Sequence, residues 1–244
     1  MLSRIRAAAV ALAFCAAPVL AQTINVGSVA DSRGASGWTL DGTNQSAARA
    51  KLLNTANFGP GGTVASSIAI TDIATPISAG TLAPLNVLYI GYFGNGTFAA
   101  GELSAIQTWV NAGGTVVTTC DDGSHADVCT LFTHTSTTQA TSPVVPTVAG
   151  ASHPIFAGPF GAVASVNMAF TQGYFPTTTG ATVLGVDSSG SNNATVLFQT
   201  FGAGRVIFLS DVDMIANAAA TSLSTGGGIS NGNDRFLANL FAFA

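Results

Sequence analysis

Charge is what this 244-residue chain has least of: seven Lys and Arg and eleven Asp and Glu make up only 7% of it. An ordinary soluble domain carries about a quarter. The net charge of −4 leaves no basic stripe for a phosphate backbone, so nucleic acid is excluded as a partner. Disorder is excluded as well, because 48% of the residues are hydrophobic and disordered chains are not. Histidine is scarce, and His125, His134 and His153 do not fall at a zinc spacing. Gly59–Gly62 and Gly226–Gly228 lack the Lys-Ser/Thr sequel of a phosphate loop. No repeat of fixed period is present, which argues against a solenoid or propeller.

Long apolar runs are also missing, with one exception at the start. Met1–Ala21 carries Arg4 and Arg6, then the apolar run Ala7–Ala17, and closes on Val19-Leu20-Ala21. This is the pattern of an export signal cut after Ala21. The run is too short to span about 30 Å of hydrocarbon, and Pro18 interrupts it. Removal takes two of the seven basic residues and none of the eleven acidic ones, leaving five against eleven, a formal charge of −6. It also takes Cys15, leaving Cys120 and Cys129. The chain is therefore expected to be exported, periplasmic or extracellular, with no membrane contact after cleavage. Residues 22–244 are expected to form a single domain.

That domain reads as strands alternating with helices. Ile24–Ala30 is a β-branched strand, and Gln45–Asn57 carries Ala47, Ala48, Leu52 and Leu53 on a helical stripe. Val64–Ile73 is a second strand. Asn86–Phe93 is a continuous apolar run, as a strand buried on both faces requires. Glu102–Ala112 places Leu103, Ile106, Trp109 and Val110 at helical spacing before Gly113-Gly114, and Thr115–Thr119 is again a strand. Strand, helix, strand at this spacing is a βαβ unit with parallel strands. Residues 130–195 are rich in Thr, Ser, Gly and Pro, with short strands at Val163–Phe170, Ala181–Val186 and Ala194–Phe201, and read as a β-rich insertion. Gly204–Leu209 is a last strand and Asn233–Phe243 a last helix, with Phe236, Leu237, Leu240 and Phe241 inward.

Three stretches carry a resemblance: LNVLYIGYFGNG, ELSAIQTWVNAGGTVVTTCDDG, and GAGRVIFLSDVDMIAN followed by NDRFLANLFAFA. Together with His153–Gly158 they resemble the class I glutamine amidotransferase-like superfamily, in its flavodoxin-like, ThuA-related branch. The resemblance implies a three-layer α/β sandwich with a mostly parallel sheet. It places Cys120 where the enzymes of that superfamily carry a nucleophile in a Gly-x-Cys-x-Gly elbow. Here Thr118 and Asp122 stand in place of the two glycines, and no histidine follows His153 to supply the distal His-x-Glu pair. The resemblance thus implies a catalytically degenerate member.

Cys120 has two readings. As a thiolate it has His125 five residues on, but Asp121 and Asp122 oppose the lowered pKa a nucleophile needs. As half of a Cys120–Cys129 disulfide it fits an even pair of cysteines in an exported chain. Asp31, Asp121, Asp122, Asp211 and Asp213 each follow an expected strand, and carboxyl ends of strands line the ligand crevice in open α/β sheets. Carboxylates so gathered can hold Ca²⁺, or can simply cap turns and helix starts. Trp38 falls in a loop at the same end, where an exposed indole can stack on a sugar or act as a lid. The neutral, hydroxyl-rich composition fits carbohydrate or cell-surface contact. Three function classes follow: a non-catalytic binding or organising module at the cell envelope; a hydrolase using His125 with Asp121, Asp122 and Asp211, with or without a metal; and a self-assembling surface or matrix protein.

Overall fold

Residues 22–93, 97–121, 127–169, 171–217 and 222–244 are described by a computed structural model. The expected export signal, residues 1–21, lies outside them. Strands β1 (Thr23–Val29), β2 (Ser67–Ile73), β3 (Val87–Ile90), β4 (Thr115–Thr119), β5 (Val144–Pro146), β6 (Thr182–Asp187), β7 (Ala194–Phe201) and β8 (Gly204–Leu209) form one sheet. Its order is β2-β1-β3-β4-β8-β7-β6-β5. The first five strands run parallel, and β7, β6 and β5 add antiparallel pairings. A parallel 2-1-3-4-5 order is that of flavodoxin-like sheets, in which β8 here takes the fifth place.

Alternation sorts side chains onto the two faces. Val26, Tyr89, Val117, Ile207 and Leu209 face helices α1 (Ser46–Leu52) and α6 (Gly232–Phe243). Leu88, Val116, Val206 and Phe208 face α2 (Ala79–Leu82), α3 (Ala100–Asn111) and α4 (Asp127–Leu131). The result is a three-layer sandwich. A short α5 (Val148–Ser152) packs near β6. In α6 the expected stripe is buried: Phe236, Leu237, Leu240 and Phe241 are all at 0% exposure. Each such side chain contributes about 1.5–3 kcal/mol by leaving water. The helix starts where Asn231 accepts from Asp234 N and Asp234 reaches back to Asn231 N, a reciprocal cap.

Two local expectations are corrected. On α1 the inward residues are Ala48, Lys51 and Leu52, while Leu53 is exposed. Lys51 turns inward because a carboxylate waits for it: its Nζ lies 3.2 Å from Asp234 of α6, with neither side chain exposed. The second concerns Val163–Phe170, of which Phe170 lies outside the described residues. The rest makes no strand, only a single bridge between Val166 and Val144. Its backbone is claimed by α6 instead, since Asn167 N donates to Asn233 Oδ1 and Asn167 O accepts from Asn233 Nδ2. The remainder of 130–195 supplies β5 and β6, which extend the sheet antiparallel, and a ribbon pairing Thr137–Gln139 with Gln172–Tyr174.

Candidate functional site

Register decides where the site lies. Val26 stands opposite Val87, Ile90 opposite Thr118, and Leu209 opposite Thr119. The carboxyl ends of β1, β3, β4 and β8 therefore reach one rim, where ligands bind in open parallel sheets. A cavity of about 290 Å³ opens there. Trp38 lines it from the loop after β1, Tyr92 from the turn after β3, and Asp121 from the turn after β4. Asp211, Val212 and Asp213 line it from the turn after β8, and Thr171 lines it from just before the ribbon strand Gln172–Tyr174.

Each side chain has a local reason to be there. Asp31 and Asp41 brace the first loop: Asp31 N donates to Asp41 Oδ1 at 2.9 Å, and Asp31 Oδ1 accepts from Gly37 N. Thr39 Oγ1 also donates to Asp41, at 2.7 Å. This presents Trp38, whose carbonyl presses on Gly91 so closely that a Cβ there would meet it at 2.0 Å. Asp31 thus positions the loop and does not itself line the cavity. Asp121 adopts a left-handed backbone with φ of 37°, a conformation that Asp and Asn tolerate better than other side-chain-bearing residues.

Asp211 has the most constrained carboxylate. It is 2% exposed, and its oxygens accept from Gly173 N at 2.9 Å and Asp213 N at 2.8 Å. The second bond caps the short 3-10 turn Val212–Ile215. Gly173 fits only because it lacks a side chain, since a Cβ would lie 2.0 Å from Ser210 O. Ser210 Oγ in turn donates to Gly173 O at 2.6 Å. Burial, and then the nearby Asp121 carboxylate, push Asp211 well above the ordinary carboxylate range, with Asp213 adding to the effect.

Cys120 is bonded to Cys129, with 5.9 Å between their Cα atoms. The thiolate reading is thereby replaced by the disulfide reading in this state of the protein. Of the remaining candidates, Asp122 and His125 lie outside the described residues. Among the described residues no group of three or more His, Cys, Asp or Glu is placed to hold a metal ion. His134 and His153 sit elsewhere: His134 Nε2 is 2.8 Å from Gln199 Oε1, and the His153 ring packs edge-on against Phe243. Tyr92 and Thr171 were not singled out by sequence reasoning. Tyr92 hides inside the apolar run Asn86–Phe93, yet β3 ends at Ile90, which turns Tyr92 from a strand residue into a rim residue.

No family model matches the chain, and no curated protein matches it. Solved structures do. The mmIFT52 N-terminal domain superposes with a TM-score of 0.59 at 13% identity, over 88% of this chain and 93% of that one. A ThuA-like protein from Bacteroides uniformis superposes with a TM-score of 0.55 at 12% identity, over 94% of each chain. The fold is ThuA-like. A second ThuA-like protein, from Parabacteroides merdae, agrees at a TM-score of 0.50 and 10% identity, over 90% of this chain and 88% of that one. At such identities the likeness establishes a shared fold, and chemistry has to be argued from the site.

Among the described residues, no helix is long and apolar enough to cross a membrane.

Proposed function

We propose that this ThuA-like domain is an exported ligand-binding module, directed to glycans at the cell envelope and not catalysing amide transfer. The observation that carries the reading is the Cys120–Cys129 bond. It occupies the sulfur at the position that resembles the superfamily's nucleophile, and it belongs to an oxidising compartment. What remains at the rim is a small cavity with two aromatic side chains and several hydrogen-bond acceptors, Trp38, Tyr92, Asp121, Asp211 and Asp213. Aromatic faces and carboxylates are the groups that grip a sugar's C–H face and its hydroxyls.

The test has three arms. The secreted or periplasmic protein is expected to begin at Gln22 by intact mass. On a glycan panel it is expected to bind, and Trp38→Ala to lose that binding with the fold retained. Glutamine is expected to release no ammonia, before or after reduction. Ammonia release that disappears in Cys120→Ser would refute the non-catalytic reading.

One observation favours a hydrolase instead. Asp211, held well above the usual range by burial and then by the nearby Asp121, is a candidate general acid at the rim. That reading requires hydrolysis of a glycoside or ester to vanish in Asp211→Asn, and no turnover across a substrate panel would discard it.

A further inference from the structure

We infer that strand β2, the open edge of the sheet, is a self-association surface, on which two copies of this chain pair antiparallel about a two-fold axis into one continuous sheet. The chain treats its two sheet edges differently. At the β5 edge, Thr147 N donates to Leu184 O and Ser188 N to Pro143 O, so Val145 faces β6 while Val144 and Pro146 turn their backbone outward. Both outward positions are closed. Val144 exchanges two bonds with Val166, at 2.8 Å each, and Pro146 has no N–H to offer. A proline and a covering segment are known ways of blocking an edge.

The β2 edge has neither. Ser67 N donates to Gln22 O and Ile73 O accepts from Ala30 N, so the odd-numbered residues face β1. Ile68, Ile70 and Asp72 therefore turn their N–H and C=O outward. Among the described residues, no hydrogen bond reaches those outward groups, and β1 is the sole strand beside β2. The pairing with β1 is unbroken from Ser67 to Ile73, with no bulge, proline or lysine in the strand. Between Val64 and Thr75 the sequence carries one charge, Asp72, which Arg49 of α1 already pairs at 2.7 and 3.0 Å.

This edge is complementary to itself. With the axis at Ile70, Ile70 lies opposite its own copy and Ile68 opposite Asp72, so each outward N–H meets an outward C=O. Ile70 packs against the core while still partly exposed, and the pairing covers it with a second β-branched side chain. On the other face Ala69 lies opposite Thr71, both exposed and small enough to let the backbones approach. The two Asp72 carboxylates stay apart, roughly 13 Å along the strand at about 3.3 Å per residue, beyond the Debye length of about 8 Å at physiological salt. Because the β5 edge is closed, assembly stops at two copies.

Sedimentation equilibrium from about 1 to 500 μM is expected to pass from the mass of one chain to that of two. Ile70→Pro deletes the central outward N–H of both copies and leaves the bonds from β2 to β1 in place, and should raise the dissociation constant at least about tenfold. Ala69→Lys puts on an exposed position the cation that natural edges use, and should do the same if the proline variant fails to fold. Hydrogen exchange over Ser67–Ile73 should slow as the parent concentration rises, and should stay fast in Ala69→Lys. The mass of one chain across the whole range would overturn the inference, as would a dimer that Ala69→Lys leaves unchanged. Growth past two copies would overturn the two-fold closure. Protection of these amides by an added extended peptide, but not by concentration, would assign the edge to a different chain and overturn the pairing of copies.

Discussion

Lys51 is the chain's sole lysine, and it is fully buried. Its Nζ donates to Ser224 Oγ at 2.9 Å, Gly226 O at 3.0 Å and Gly228 O at 2.7 Å, with Asp234 Oδ1 at 3.2 Å. Asp234 accepts in turn from Ser224 N and Oγ, Ser230 N and Oγ, and Asn231 N. One ion pair therefore ties α1 to α6 and pins the loop between residues 222 and 231 from both sides. Replacing Lys51 by Met keeps most of the volume but strands a buried carboxylate and two glycine carbonyls. Breaking a buried pair from one side costs about 3–5 kcal/mol. For a domain of this size that corresponds to a fall in melting temperature of roughly 6–20 °C.

Two measurements check the reasoning. Thermal unfolding followed by circular dichroism should show the loss in Lys51→Met, and a comparable one in Asp234→Asn, which leaves the buried Lys51 ammonium without its counter-charge. Amine-reactive labelling gives a second view, because no other side-chain amine competes. In the native protein Lys51 should be modified only as fast as the chain opens, read by the mass of its peptide. A Lys51→Met variant melting within about 2 °C of the parent would refute the argument. So would rapid labelling of Lys51 under conditions where the protein stays folded.

Other outcomes follow from the same geometry. Reducing Cys120–Cys129, which closes a loop of nine residues' separation, should lower stability by about 2–3 kcal/mol in a denaturant titration. Tyr89→Phe should cost about 1–3 kcal/mol, because Gln45 loses its buried hydroxyl partner at 2.6 Å. Glu102, held below its usual range by Ile77 N, Ala99 N and Arg33 against the penalty of burial, and Asp234, held low by its Ser and Asn donors, contribute stability present above their unfolded pKa values and lost as pH falls through the folded ones. Asp211 has the opposite sign: its raised value makes stability fall as pH climbs from the ordinary carboxylate range through the folded pKa, so Asp211→Asn should flatten that limb in a pH series of melting curves. Gly173→Ala should displace the ribbon from Ser210 and Asp211, weakening ligand binding at the rim and lowering the melting temperature together.

The parallel half of the sheet was legible because its signals are local. The continuous apolar run at Val87–Ile90 and the β-branched run at Thr115–Thr119, each bounded by glycine or a polar turn, name buried strands without any partner being known. The antiparallel flank was less so. The strand expected at Ala181–Val186 is β6, though its pairing with β7 shifts register around Gly185, while β5 is only three residues long and does not announce itself by period. Val163–Met168 has the look of a strand, but Asn233 of α6 captures its backbone, a contact between residues 66 apart that no window can see. Leu53 and Lys51 exchange their expected sides of α1 for a similar reason, a distant carboxylate outweighing the hydrophobic stripe.

At the rim, the aspartates that follow strands were expected either to cap turns or to face a ligand, as if the two were alternatives. Asp211 does both at once. One oxygen caps the turn through Asp213 N, the other anchors the ribbon through Gly173 N, and the same group lines the cavity. Capping works against burial at this 2% exposed group, because two oriented N–H dipoles favour its charged form while burial and the nearby Asp121 favour the neutral one. Asp31 shows the other outcome. Its carboxylate turns inward to Gly37 and holds the loop that carries Trp38. Aspartate at a strand's carboxyl end therefore marks the rim, while the partner of its second oxygen decides whether it builds the wall or touches what lies inside.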